Sequence, residues 1–237
     1  IITVILSLAV NYSPEEVAFV IIDYKGGGLA DAFNDVKEEI VDSRTVEVSY
    51  KLPHVVGTVT NLDGATIERA CISIETEIKR RQLLFKTARK LSNDGTMDIY
   101  KYQKLRREGA DLEALPHLFI VCDEFAELKD DRPDFMELLV SAARIGRSLG
   151  VHLILATQKP DTVVSPQIWS NSRFKICLKV QGKEDSKAVI HCPDAAEIST
   201  TGRFFFQVGY NEVFSMGQSA WCGADYIESD DFIKSRD

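Results

Sequence analysis

Two adjacent carboxylates, Asp123 and Glu124, follow five apolar residues, Leu118 to Cys122, that come directly after Pro116 and His117. A continuous apolar run bounded by a breaker reads as a strand buried on both faces of a parallel sheet. In open α/β sheets ligands bind outside the carboxyl ends of the strands, where these two acids would stand. Paired acids at that position suit nucleotide hydrolysis: one holds Mg²⁺ through a water, and the next activates or orients the attacking water. The plainer alternative is that the pair only caps the following helix, since acids are favoured at helix N-termini.

Two other apolar runs end in the same way. Val17–Ile22 leads into Asp23-Tyr24-Lys25 and three glycines, Gly26 to Gly28, and Val151–Ala156 leads into Thr157-Gln158. Gln158 is suited to sensing a γ-phosphate, because its amide donates to phosphate and accepts from water at once. Asp23, Lys25 and Thr157 join it as candidate nucleotide-binding residues. The glycines let a backbone approach a ligand closely, or they form a plain flexible loop. The phosphate-cradling pattern G-x-x-x-x-G-K-[ST] occurs nowhere in the sequence, and no G-K-[ST] follows the three glycines.

The elements that position these residues follow from periodicity. Ile1–Val10 is apolar on nearly all sides and is a buried helix or strand. Asn34–Lys51 reads as a charged helix followed by a short exposed strand, and Val55–Thr60 as another strand. From Thr66 to Ser92 the period is helical, with Ile67, Cys71, Ile74, Ile78 and Phe85 on one face. Lys79-Arg80-Arg81 is expected on a solvated face of that helix rather than on phosphate. A shorter basic helix is expected over Ile99–Glu108. Pro133 opens another, with Phe135, Leu138, Leu139, Ala142 and Leu149 as its apolar stripe and Gly150 as its C-terminal cap. Further strands are expected at Arg173–Val180, Arg203–Val208 and Val213–Trp221, with a helix near Asp185–His191. Strands alternating with helices predict an α/β fold on a mostly parallel sheet.

Composition narrows the function. With 45% hydrophobic and 27% charged residues the 237-residue chain is an ordinary globular one, read here as a single domain over 1–237. Its net charge of −8 argues against a surface given over to nucleic acid. The five cysteines are odd in number, scattered and without a C-x-x-C pair, which suits reduced thiols rather than disulfides or zinc. No run is long enough to span a membrane, and the opening residues lack the marks of a signal peptide.

Six segments carry a family resemblance: IIDYKGGG at Ile21–Gly28, GTVTNLDGA at Gly57–Ala65, PHLFIVCDEFAEL at Pro116–Leu128, ARIGRSLGVHLILATQKP at Ala143–Pro160, PDAAEI at Pro193–Ile198 and QSAWCGADY at Gln218–Tyr226. Together, and in this order, they resemble the FtsK/SpoIIIE-type ATPase domains of the type VII secretion motor, the EssC/EccC family. The resemblance implies a RecA-like P-loop NTPase core whose first strand and phosphate loop lie before Ile1, with Ile1–Val10 as the helix after that loop. It implies ATP and Mg²⁺ as cofactors, Asp123 and Glu124 as the Walker B pair, and Gln158 as the sensor. Arg144 or Arg147 would be the arginine offered in trans to a neighbouring subunit's nucleotide, its fixed fork neutralising phosphoryl charge. The implied partners are neighbouring copies or tandem ATPase domains, small helical secreted proteins and a membrane secretion complex. The chain would then be a cytoplasmic domain of a bacterial membrane protein. DNA translocation and a degenerate scaffold are the alternatives. The segment Asn34–Lys51 is longer than the family's usual link between its glycines and the L-P-H of Leu52-Pro53-His54.

Overall fold

The structure, a computed structural model, describes residues 1–23, 28–41, 44–60, 64–92, 95–160, 168, 171–210 and 212–224. Its centre is a four-stranded parallel sheet in the order β4-β1-β5-β6, formed by β1 (Val17–Asp23), β4 (Val55–Val59), β5 (His117–Asp123) and β6 (Val151–Leu155). Parallel strands covered on both sides need apolar residues at consecutive positions, and Phe19, Ile21, Ile22 and Val121 are all fully buried. Each such side chain contributes about 1.5–3 kcal/mol by leaving water.

Alternate residues of one strand feed different layers. Ala18 and Ile22 of β1, with Ile120 and Cys122 of β5, pack on Ile67 and Ile74 of α3 (Gly64–Ala88), Phe125 of α5 (Phe125–Asp131) and Leu139 of α6 (Pro133–Gly146). Val17, Phe19, Ile21 and Val121 point the other way, onto Ile5 of α1 (Ile2–Asn11) and Leu29 and Ala30 of α2 (Gly28–Asp31). Ile1–Val10 is thus a helix. A third cluster joins Phe85 of α3 to Ile99 and Tyr102 of α4 (Ile99–Arg107) and to Leu149.

Three expectations are corrected. Asn34–Lys51 is not helical at its start: β2 (Asn34–Val41) and β3 (Arg44–Lys51) form an antiparallel ribbon, from Asn34 opposite Lys51 to Val41 opposite Arg44. Ladder pairing with the β-branched residues of β3 overrides the helical propensity of Lys37, Glu38 and Glu39. Arg81 is not on a solvated face: it is 1% exposed, with Nε donating to Glu77 (2.7 Å) and Nη1 to the Leu149 carbonyl (2.8 Å). The α3 stripe that buries Ile78 and Phe85 carries position 81 inward with it.

The third correction concerns the later strands. β7 (Phe174–Leu178), β8 (Arg203–Val208) and β9 (Val213–Gln218) form an antiparallel sheet of their own, with α7 (Lys183–Ile190) packed through Ile190 on Cys177 and Phe205. A four-residue link between β8 and β9 is too short for a parallel crossover. Among the described residues no helix is long and apolar enough to cross a membrane, and all five cysteines are free thiols, of which only Cys222 is exposed.

Candidate functional site

Three neighbouring strands of the parallel sheet end at one edge, and each ends in a polar group. Across the β1–β5 ladder Asp23 is the register partner of Asp123. Asp23 is 2% exposed, and its Oδ2 accepts a hydrogen bond from the Leu29 amide at 2.8 Å, so α2 is tied to the end of β1. Asp123 is half-buried, and its Oδ1 accepts from the Glu124 amide at 3.1 Å. Burial raises the Asp123 carboxyl above the usual range, the carboxylates of Asp23 and Glu124 raise it further, and the Glu124 amide offsets part of this.

Glu124 stands where the chain must reverse from β5 into α5. Its backbone is left-handed, φ 51° and ψ 52°, which costs an L-residue about 1 kcal/mol or more. Hydrogen bonds on both sides impose it: the Ala156 amide donates to the Cys122 carbonyl, and the Phe125 amide donates to the Ala156 carbonyl, each at 2.9 Å. The reading in which Glu124 caps the helix is not met. It is the N-cap of α5 by position, but its side chain makes no capping bond. Instead the carboxylate turns to β6. Oε1 accepts from the Thr157 hydroxyl at 2.8 Å and from the Gln158 amide at 3.3 Å, and the residue is 3% exposed. Thr157 Oγ1 in turn accepts from the Lys159 amide at 3.1 Å. Gln158 itself has an exposed side chain.

The remaining candidates lie elsewhere. Lys25 falls outside the described residues, as do Tyr24, Gly26 and Gly27. Arg144, in the last turn of α6, and Arg147, its C-cap, are exposed, and neither is in an ion pair with a described residue. They sit at the opposite end of the sheet from the carboxylates. The Leu118 amide donates to the Gly150 carbonyl there, and the rise from Leu118 to Asp123 is about 16 Å at ~3.3 Å per residue. The structure therefore brings Asp23, Asp123, Glu124, Thr157 and Gln158 to one edge and keeps both arginines away from it. What sequence reasoning missed is the bond from Thr157 to Glu124, whose only trace in the sequence is a hydroxyl residue directly after a buried strand.

The FtsK/SpoIIIE family profile matches residues 1–162. The chain belongs to the FtsK/SpoIIIE family. It is 53% identical over 227 residues to the type VII secretion system protein EssC of Staphylococcus aureus strain Mu50, covering 95% of this chain and 14% of that protein. It is 51% identical over 228 residues to the ESX secretion system protein YukB of Bacillus subtilis strain 168, again over 95% of this chain and 14% of the relative. Among solved structures it matches the cytoplasmic domain of the Thermomonospora curvata type VII secretion ATPase EccC with a TM-score of 0.72 and 30% identity, over 95% of this chain and 24% of that one. ATPases 2 and 3 of EssC from Geobacillus thermodenitrificans share the fold, with a TM-score of 0.68 at 21% identity, over 98% of this chain and 39% of that one. The fold is thus that of the RecA-like P-loop ATPases, and the chain spans about one seventh of the length of these curated relatives.

An FtsK/SpoIIIE domain implies Mg²⁺ and ATP; among the described residues no group of three or more His, Cys, Asp or Glu side chains converges to hold a metal ion. Asp123, the half-buried carboxylate of the three, is the one through which a divalent cation would be held, and such a cation would relieve its raised carboxyl. A phosphate cradle of the G-K-[ST] kind is not among the 237 residues.

Proposed function

We propose that this chain is the ATP-hydrolysing core of a motor module for type VII protein secretion. The observation that carries the reading is the shared strand edge, where Asp23 and Asp123 stand in register and Glu124 meets Thr157 and Gln158. When bound, Mg²⁺-ATP supplies the phosphoanhydride to be cleaved and the charge that aligns it. Asp123 holds the metal through a water, and Asp23, beside it, adds negative charge and anchors α2. Glu124 takes the proton of the attacking water, Gln158 contacts the γ-phosphate, and Thr157 and Lys25 belong to the nucleotide side of the site. Arg144 or Arg147 serves the nucleotide of an adjoining subunit.

The outer edge of β6 has no strand beside it among the described residues, although Val-His-Leu-Ile-Leu is the composition of an internal parallel strand. That edge is where we place the strand bearing a phosphate loop. Neighbouring copies or tandem ATPase domains, small helical secreted proteins and a membrane secretion complex are the proposed partners, with the chain on the cytoplasmic side. The net charge of −8 favours protein over DNA as the cargo.

The test is Mg-ATP binding and turnover by these 237 residues and by a version extended upstream by about fifty, enough for a strand, loop and helix turn. Binding by the extended version alone, with turnover abolished by Glu124→Gln, is the expected result. Binding by neither version would turn the reading to a scaffold.

A further inference from the structure

A second concave site lies in the antiparallel sheet, between the carboxyl end of α7 and the β8–β9 hairpin. α7 covers Cys177 and Phe205 through Ile190. Where the helix stops, the same face of the sheet continues as Gln207 and Phe214, which are register partners. The pocket left there holds about 260 Å³ and is lined by His191, Cys192, Asp194, Gln207, Tyr210 and Phe214. Gln207 is 2% exposed. Its Nε2 donates to the Tyr210 carbonyl at 2.8 Å, while its Oε1 is buried with no hydrogen-bond partner among the described residues. A buried acceptor left unmet is costly, so a donor is expected to reach it.

Three features select a cation as that donor. They are the Gln207 oxygen, the exposed Asp194 carboxylate, and the carboxyl end of α7, whose last carbonyls carry partial negative charge. Burial and the Asp194 carboxylate raise the Cys192 thiol, against a backbone bond at Asp194 that lowers it, so the sulfur adds no charge. Lys175, across the other ladder from Gln207, does not line the pocket. The walls then choose among cations. The His191 and Tyr210 rings stand 6.0 Å apart, and Phe214 is backed by Phe205 at 5.4 Å. Ring faces favour the flat, weakly hydrated guanidinium over a compact ammonium, and its several donors can serve Gln207 and Asp194 together. We propose that this pocket receives an arginine side chain of a partner polypeptide. A polypeptide is the source because the exposed apolar rim extends beyond the pocket, through Phe214 and Met216 of β9, the outer strand of its sheet. A free guanidine would leave that rim bare.

This inference is independent of the hydrolytic reading, and its test uses no ATP. The full natural polypeptide that carries these residues is titrated with a short peptide bearing one arginine between apolar residues. The same peptide with lysine or citrulline in its place, and agmatine, are the comparisons, and amide exchange is the readout. The arginine peptide is expected to slow exchange around Ile190–Ala195 and Gln207–Phe214. The citrulline peptide should bind at least about tenfold more weakly, having lost the charge on its hydrogen bonds. Lysine should cost about three- to tenfold, having lost the stacking. Asp194→Asn and Gln207→Leu should each weaken the arginine peptide about tenfold. Gln207→Leu also removes the bond to the Tyr210 carbonyl, so Asp194→Asn, at an exposed position, decides the matter if the hairpin loosens. Equal binding of the citrulline or the lysine peptide would overturn the proposal, and so would protection that is absent or falls elsewhere. Agmatine binding as tightly as the arginine peptide would make this a small-molecule site and overturn the polypeptide partner.

Discussion

Asp23 lies directly across the parallel β1–β5 ladder from Asp123, so two neighbouring strands each end in a carboxylate at the same level. Proximity of like charges and burial both favour the neutral form of Asp123, and its carboxyl is raised. A group raised in the fold is more readily ionised in the unfolded chain, so at neutral pH it detracts from stability, and the deficit fades as pH falls through the folded value towards the unfolded one. Asp123→Asn should therefore raise Tm at pH 7. It should also remove Mg²⁺-dependent turnover. Thermal scans at pH 7 and pH 4 check the sign: the gain over wild type should shrink at the lower pH.

The other end of the same strands carries an opposite dependence. Nδ1 of His117 lies 2.9 Å from Nε2 of His152, and their rings stack at 5.2 Å between Tyr100 and Phe119. One imidazole must accept, so the pair needs at least one neutral ring. Burial pushes His152 down to about 4, with His117 and the buried Arg81 adding to the effect, and burial and Arg81 lower His117 as well. A histidine lowered in the fold stays neutral while the unfolded chain takes up protons near pH 6.5. Stability is then full above pH 6.5 and is lost as pH falls from there towards about 4. His152→Phe should flatten this decline, measured as Tm across that range. A decline of unchanged slope in the variant would assign it to other groups.

Much of this was legible in the sequence. Buried parallel strands announce themselves as unbroken apolar runs, so β1, β5 and β6 and the polar groups at their ends could be read directly. So could α3 and α6, whose stripes repeat at helical spacing. The ribbon at Asn34–Lys51 could not, because its charged first half has helical propensity and only its pairing with β3 makes it a strand. The burial of Arg81 is not legible either, because charge in a sequence says nothing of a carbonyl 68 positions away at Leu149. The hold of Thr157 on Glu124 spans 33 positions and depends on β5 and β6 being neighbours.

Gly150 does not cap α6: the helix ends at Gly146 and Gly150 closes the turn that follows it. Its φ is +75°, and a Cβ placed there would stand 2.6 Å from Cγ1 of Ile99. The residue is needed for both reasons, conformation and room. Gly150→Ala should cost about 2–3 kcal/mol, the sum of an unfavourable φ and overpacking against a filled core, read as a lowered midpoint in urea with unchanged slope. A neutral result would show that Ile99 has space to retreat.

Arg144 and Arg147 stand at the far end of the sheet from Glu124 and are exposed. About 16 Å of strand separates that end from the carboxylates, beyond the reach of a guanidinium within one subunit. If either serves hydrolysis, it must serve a neighbour's site. A trans arginine stabilises phosphoryl charge that its own subunit never sees, and its removal costs about 10³-fold or more in turnover. One of Arg144→Ala and Arg147→Ala should therefore be nearly inactive in the assembled motor while still binding Mg-ATP. Mixing that variant with Glu124→Gln subunits, themselves inactive, should restore turnover. Where the two types meet in one of the two orders, an intact base and an intact arginine share a site. Recovery on mixing establishes action in trans. Activity that stays absent at every mixing ratio would confine each arginine to its own subunit, and then neither could reach the carboxylate edge without a rearrangement of α6.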